Sequence, residues 1–170
     1  MFRNKRKYKL SKEAIKYDGR TLYRIKALKN IGEFPYDVHK GDFGGYVENE
    51  ENLSQEGRCW IYNDAKVYGN ARVYCNAIIT DCAIVCGNAS VNGLAEISGD
   101  AMVKELSDYI VFKNSWSSGR YFTWTKSNDM WRVGCFYGTG EELIKKAYKD
   151  SDKSGKNYEL TVKYVEDLNK

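Results

Sequence analysis

The sequence predicts a mainly β protein: a short left-handed parallel β-helix of about three coils, with an N-terminal β-hairpin and a small C-terminal α+β module. Two patterns carry this. From Val67 to Val103 an aliphatic residue recurs every six positions, and an alanine follows each one from Val67 to Ile97 four residues later. After Val103 the period stops, and aromatic-rich strand patterns with one amphipathic helix pattern replace it. The chain therefore divides into 1–46, hairpin and lead-in; 47–106, β-helix; and 107–170, the module.

Written in sixes from Val67, the chain reads VYGNAR, VYCNAI, ITDCAI, VCGNAS, VNGLAE, ISGDAM. The first position is always Val or Ile, and the fifth is always Ala, from Ala71 to Ala101. Neither the helical nor the strand period gives six. A short strand plus a corner does, and three such units close a triangular coil of 18 residues. The aliphatic side chain fills the prism, Ala fits near the corner, and Gly, Asn and Asp between them tolerate left-handed turn conformations. Coils stack about 4.8 Å apart. Residue i then lies beside i+18, which predicts ladders of Ile61, Ile79 and Ile97; of Val67, Val85 and Val103; and of Val73 and Val91. Asn70 should lie over Asn88. Upstream, Ile61 and Ala65 obey the same rule, and Val47, Leu53 and Cys59 extend the small-residue position in weaker form.

Before the coils, Asp18-Gly19 is a tight-turn pair between two strand patterns, which predicts a hairpin over 8–30. Residues 1–30 carry 11 Lys or Arg against 2 acids, whereas 31–103 carry 4 against 11. A basic head beside an acidic middle points to an anionic partner, or to a solvated lysine-rich hairpin. After the coils, 108–114, 120–127 and 130–138 read as strands. Residues 139–151 read as a helix with Thr139 and Glu142 at capping-box spacing. Residues 157–168 read as a final strand, giving the order β-β-β-α-β, with Asp152–Gly155 as a loop.

Five cysteines and a single histidine, His39, supply no convergent ligand set for zinc. No P-loop, dinucleotide fingerprint or metal-binding run occurs, so no cofactor is expected. The N-terminus lacks the apolar stretch of a secretory signal, and no apolar run could cross a membrane; the expected location is cytoplasmic. Trp116, Arg120, Tyr121, Trp124, Lys126, Trp131 and Arg132 lie within 17 residues. Aromatic faces stack on bases and Arg or Lys meets phosphate, so these residues are candidates for an anionic ligand, with core packing as the alternative. Thr139 and Gly140, at a helix start, could add free amides.

The six-residue pattern resembles the hexapeptide-repeat family over roughly residues 47–103. The lead-in, with Gly41-Asp42, Gly44-Gly45, Val47-Glu48 and Asn52-Leu53-Ser54, resembles that of uncharacterised bacterial and phage hexapeptide-repeat proteins. This resemblance implies a phage-associated homotrimer with packed prism faces, for which Trp60, Tyr62, Tyr68 and Tyr74 are interface candidates, and clefts between subunits. It also implies acyl transfer as one activity, yet such enzymes use a histidine on the coil wall, and residues 47–103 contain none. The reading is therefore a non-catalytic binding protein. Its partner would be a small anionic ligand such as a cyclic nucleotide, captured as a counter-defence sponge, or a host defence protein. An acyltransferase using His39 and a structural scaffold piece are the alternatives.

Overall fold

The structure is a computed structural model and describes residues 6–170; Arg3 and Lys5 of the basic head lie outside the described residues. Strands β1 (Tyr8–Tyr17) and β2 (Arg20–Ala27) form the hairpin. Asp18 and Gly19 turn it with φ of 49° and 72°, left-handed values that Gly adopts freely and Asp tolerates. Strand β3 (Phe43–Val47) leads into eight two-residue strands: β4 (Trp60–Ile61), β5 (Lys66–Val67), β6 (Arg72–Val73), β7 (Ile78–Ile79), β8 (Ile84–Val85), β9 (Ser90–Val91), β10 (Glu96–Ile97) and β11 (Met102–Val103).

Parallel pairing joins every third strand from β4 onward, with β3 on β5, so the chain winds a β-helix with three walls: β4-β7-β10, β6-β9 and β3-β5-β8-β11. All three predicted ladders form. Ile61 pairs with Ile79 and Ile79 with Ile97; Val67 with Val85 and Val85 with Val103; Val73 with Val91. The aliphatic and alanine positions are buried throughout. At the corner, Asn70 Nδ2 donates to Asn88 Oδ1 at 3.0 Å.

The upstream register departs from expectation. Val47 pairs with Val67 and Leu53 bridges Val73, both 20 positions apart, whereas Ile61 and Ile79 are 18 apart. Val47 and Leu53 therefore stand in the aliphatic ladders, not at the small-residue position; only Cys59 occupies that position, its neighbour Trp60 donating to the Ala77 carbonyl. The two extra residues are absorbed in the turn after Leu53. There Gly57, at φ 68°, passes so close to the Cys75 carbonyl that a Cβ would lie 2.1 Å from it.

A parallel β-helix is polar along its axis. In this one, N–H groups face the next coil and carbonyls the preceding one. The first coil thus leaves carbonyls unserved, and the last coil leaves amides. Donors cover the first end: Tyr8 Oη to the Leu53 carbonyl at 2.7 Å, and Lys7 Nζ to the Cys59 carbonyl at 2.8 Å. Acceptors cover the other: Thr123 Oγ1 for Glu96 N at 3.0 Å, Ser127 Oγ for Met102 N at 2.7 Å, and Asp108 Oδ2 for Lys104 N at 2.8 Å. Capping of this kind removes the open edges that invite chain-to-chain pairing.

The module begins with an antiparallel meander of β12 (Tyr109–Lys113), β13 (Tyr121–Thr125), β14 (Met130–Val133) and β15 (Phe136–Gly138). The predicted strand 130–138 is two strands, reversed at Gly134 with φ 57°. Helix α1 (Gly140–Asp150) starts on the expected capping box, Thr139 Oγ1 accepting from Glu142 N. Residues 157–168 are not a strand: helix α2 runs Asp152–Leu168, and the predicted loop at 152–155 is its first turn. Ser151 Oγ caps that turn, accepting from Ser154 N at 3.1 Å. Its buried residues, Ser154, Gly155, Tyr158, Val162 and Val165, follow the helical period, whereas β-branched and aromatic content alone suggested β. Both helices cover one face of the meander, around Phe122, Trp124, Trp131, Leu143 and Tyr158. Thr123 and Arg132 meet the end of the prism. Among the described residues no helix is long and apolar enough to cross a membrane.

Candidate functional site

The structure disperses the predicted ligand set of the module. Trp124 and Trp131 are buried in the module core, Trp124 with its Nε1 on Asp129 Oδ1 at 2.8 Å. Trp116 is half-buried, its ring 4.9 Å from that of Tyr158. Arg132 turns toward the prism, its Nε 2.5 Å from Glu96 Oε1 and its Nη2 3.1 Å from Tyr36 Oη. Tyr36 also contacts Glu96, and burial together with that carboxylate pushes its hydroxyl up to about 12. Thr139 is engaged as a helix cap, and a Cβ on Gly140 would lie 2.7 Å from Val162, so both serve the helix start. Arg120, Tyr121 and Lys126 are exposed but face different surroundings. Tyr121 borders Leu94 and Leu106, Lys126 borders Trp124 and Leu168, and Arg120 lies beside Gly134.

The candidate interface set also separates. Steps of six carry Tyr62, Tyr68 and Tyr74 past three different walls, so no two of them share one. Trp60 is buried edge-on beneath Tyr8, and Tyr68 is buried beneath the hairpin; neither offers surface to a neighbour. Tyr62 Oη donates to the Tyr36 carbonyl at 2.8 Å, and Tyr74 Oη meets Ser90 Oγ and Asn92 Nδ2, each at 3.0 Å.

A site that sequence reasoning missed lies where the basic hairpin folds back on the prism. Ile15, Tyr17 and Leu22 pack on the outward Tyr46, Tyr68, Ile84 and Cys86 of the β3-β5-β8-β11 wall. The rings of Tyr17 and Tyr68 meet at 5.8 Å and 64°. Arg20 lies 5.5 Å over the Tyr68 ring and bridges Glu48 at 2.8 Å. The Gly69 amide donates to Glu48 at 2.8 Å, and with Arg20 it holds that carboxyl below its usual range. Burial, with the neighbouring Cys86 thiol, pushes the Tyr68 hydroxyl up, so it stays protonated at neutral pH. Between the hairpin tip and the corner ladder opens a groove of about 750 Å³ lined by Tyr17, Asp18, Arg20, Asn70, Asn88 and Lys104. That volume lies within the range of small-molecule sites. Its signal in the sequence was the Asp18-Gly19 turn in a basic head; the wall it folds onto is some 50 residues distant.

A second groove, of about 650 Å³, opens on the β6-β9 wall beside Glu51, Arg72 and Tyr74. His39 lines neither groove. Its side chain projects from the turn before β3, with Nε2 3.7 Å from Asp37 and Nδ1 3.8 Å from Asp42.

The repeat, the three walls and the corner ladder make this a β-helix protein, and they fit a hexapeptide-repeat β-helix. No family model matches the chain. Among curated proteins it is similar to one described as "Uncharacterized acetyltransferase YdcK" from Escherichia coli (strain K12). The two are 39% identical over 67 residues, which is 36% of this chain and 20% of that protein. The chain thus spans about a fifth of the relative's length, and this partial similarity fits the hexapeptide-repeat architecture.

Proposed function

We propose that this chain is a non-catalytic β-helix binding protein that takes a small anionic ligand in the groove under the hairpin tip. The observation that carries the reading is the folding of a basic turn onto an aromatic wall. Arg20 and Lys104 flank the groove beside the half-buried Tyr17 ring, which itself rests on the buried Tyr68, so an anion can be held next to an aromatic side chain. The corner amides of Asn70 and Asn88 supply hydrogen-bonding edges. A nucleotide-type signal is the first ligand to test, which in a phage-borne protein would make it a counter-defence sponge; capture of a host defence protein is the other form of the same reading. A homotrimer is the assembly this reading carries, and native mass measures it. Calorimetric titration against a panel of cyclic and linear nucleotides should give heat with at least one member. Arg20→Ala and Lys104→Ala should each weaken that binding about tenfold, the loss of one charged hydrogen bond. A panel without heat would sink the proposal.

Acyl transfer is the second reading, and similarity to the Escherichia coli protein described as an uncharacterized acetyltransferase favours it. It predicts release of free coenzyme A from acetyl-coenzyme A in the presence of an acceptor, abolished by His39→Ala if that residue is the base. Turnover that survives the substitution would remove His39 from the role.

A further inference from the structure

Lys7 is the one Lys, Arg, Asp or Glu side chain that is fully buried among the described residues. Its Nζ lies 2.8 Å from the Cys59 carbonyl, 3.2 Å from the Glu56 carbonyl and 3.1 Å from Cys59 Sγ. Cys59 is buried as well, and besides its own backbone amide its sulfur has carbonyls as further polar neighbours: Glu56 at 3.6 Å, and Ser54 and Val73 at 3.8 Å. A thiolate ringed by carbonyl oxygens is repelled, and an ammonium without water is costly. Burial accordingly lowers Lys7 and raises Cys59. A neutral amine suits the geometry. Its two N–H bonds serve the two carbonyls, and its lone pair is left facing the thiol.

We infer that Lys7 and Cys59 form an oxidation-triggered cross-link, a covalent N–S bond that ties the N-terminal strand to the first coil. Hydrogen peroxide supplies the oxidant. The Cys59 sulfur takes one peroxide oxygen and becomes a sulfenic acid, losing two electrons, while the other oxygen leaves as water. The Lys7 lone pair then attacks sulfur. The hydroxyl departs with one amine proton as a second water, leaving a sulfenamide. The oxidant enters by local opening, for Lys7 directly precedes β1, an edge strand whose sole partner is β2. Buried thiols oxidise slowly, so the site is marked by its product rather than by its rate. The exposed Cys75, Cys82 and Cys135 are an internal reference.

The full chain is treated with hydrogen peroxide, alkylated, digested with trypsin and analysed by mass spectrometry. The expected result is the peptide carrying residue 7 joined to the one carrying Cys59, lighter than their sum by the mass of two hydrogens. Tryptic cleavage after Lys7 is lost, and a thiol reductant restores it. Cys59→Ala, with its fold verified by circular dichroism, should retain cleavage after Lys7 under the same treatment. The inference is overturned if Cys59 stays alkylatable on unfolding while the exposed thiols are oxidised. Conversion of Cys59 to sulfinic or sulfonic acid with Lys7 still cleaved overturns it equally.

Discussion

In the prism the aliphatic side chains from Ile61 onward rest on their own kind one coil away: Ile61 on Ile79 on Ile97, and Val67 on Val85 on Val103. In the C-terminal module no buried residue meets its like at a fixed spacing. Trp131 packs on Phe112 and Phe122, with ring centroids at 5.9 and 6.1 Å, and shares its core with two helices. Both regions exclude water from apolar surface, but the prism solves the packing once and repeats it. Every solution in the module is particular. Substitutions in the module should therefore have effects bounded by one core, while those in the prism should travel along a ladder.

The largest expected effect tests the first half of that statement. Trp131→Ala should cost about 4 kcal/mol, as for a large buried aromatic. Hydrogen exchange should speed through β12–β15, both helices and the Glu96 and Met102 amides that the module caps, while the amides of β4–β9 remain protected. Loss of protection in the coils would show that the two cores are one cooperative unit and break the comparison. Next comes Ile79→Ala, at about 3 kcal/mol. Here exchange should speed in β4 and β10, which flank β7 on the same wall. An effect confined to β7 would deny the ladder its coupling.

A smaller effect sharpens the seam between the regions, where Tyr36, Glu96 and Arg132 meet. The Tyr36 hydroxyl is raised above the usual tyrosine value of about 10 to about 12. Its folded value exceeds its unfolded one, so the contribution is fully present below pH of about 10 and is lost as pH rises toward 12. Chemical denaturation across that window should show falling stability, by about 1–2 kcal/mol from this group, and Tyr36→Phe should flatten the fall. An identical slope in the variant would remove Tyr36 as its source. The smallest effect is Asn70→Ala, at about 0.5–1 kcal/mol for a solvent-exposed amide bond, read as a small drop in the denaturation midpoint.

What could be read in advance followed the same division. The ladders, the alanine corners and the Asn70–Asn88 pair were legible because a coil repeats chemistry at a fixed interval. The two-residue slip at Leu53 was hidden, since Val47 and Leu53 keep six-residue spacing and only their partners at 67 and 73 reveal the offset. In the module the capping box located α1. Residues 157–168 look like a strand in the sequence because Tyr158, Val162 and Val165 have strand-like composition, yet only a helix presents all three to the same core. The aromatic–basic cluster of 116–132 gave composition without direction. Pairing of β13 with β14 turned Trp124 and Trp131 into the interior.

By itself the sequence determined a three-sided coil: residue types recurring in sixes bury a common core only when wound that way, and each contact links positions one coil apart. Tertiary structure decided where the ends are capped, which tyrosines stay outside, and that the basic hairpin closes over the wall at Tyr68. Those outcomes join segments with no shared period, such as Lys7 with Cys59 and Tyr36 with Arg132. Such pairings form because a buried polar group must find a partner wherever the folded chain brings one.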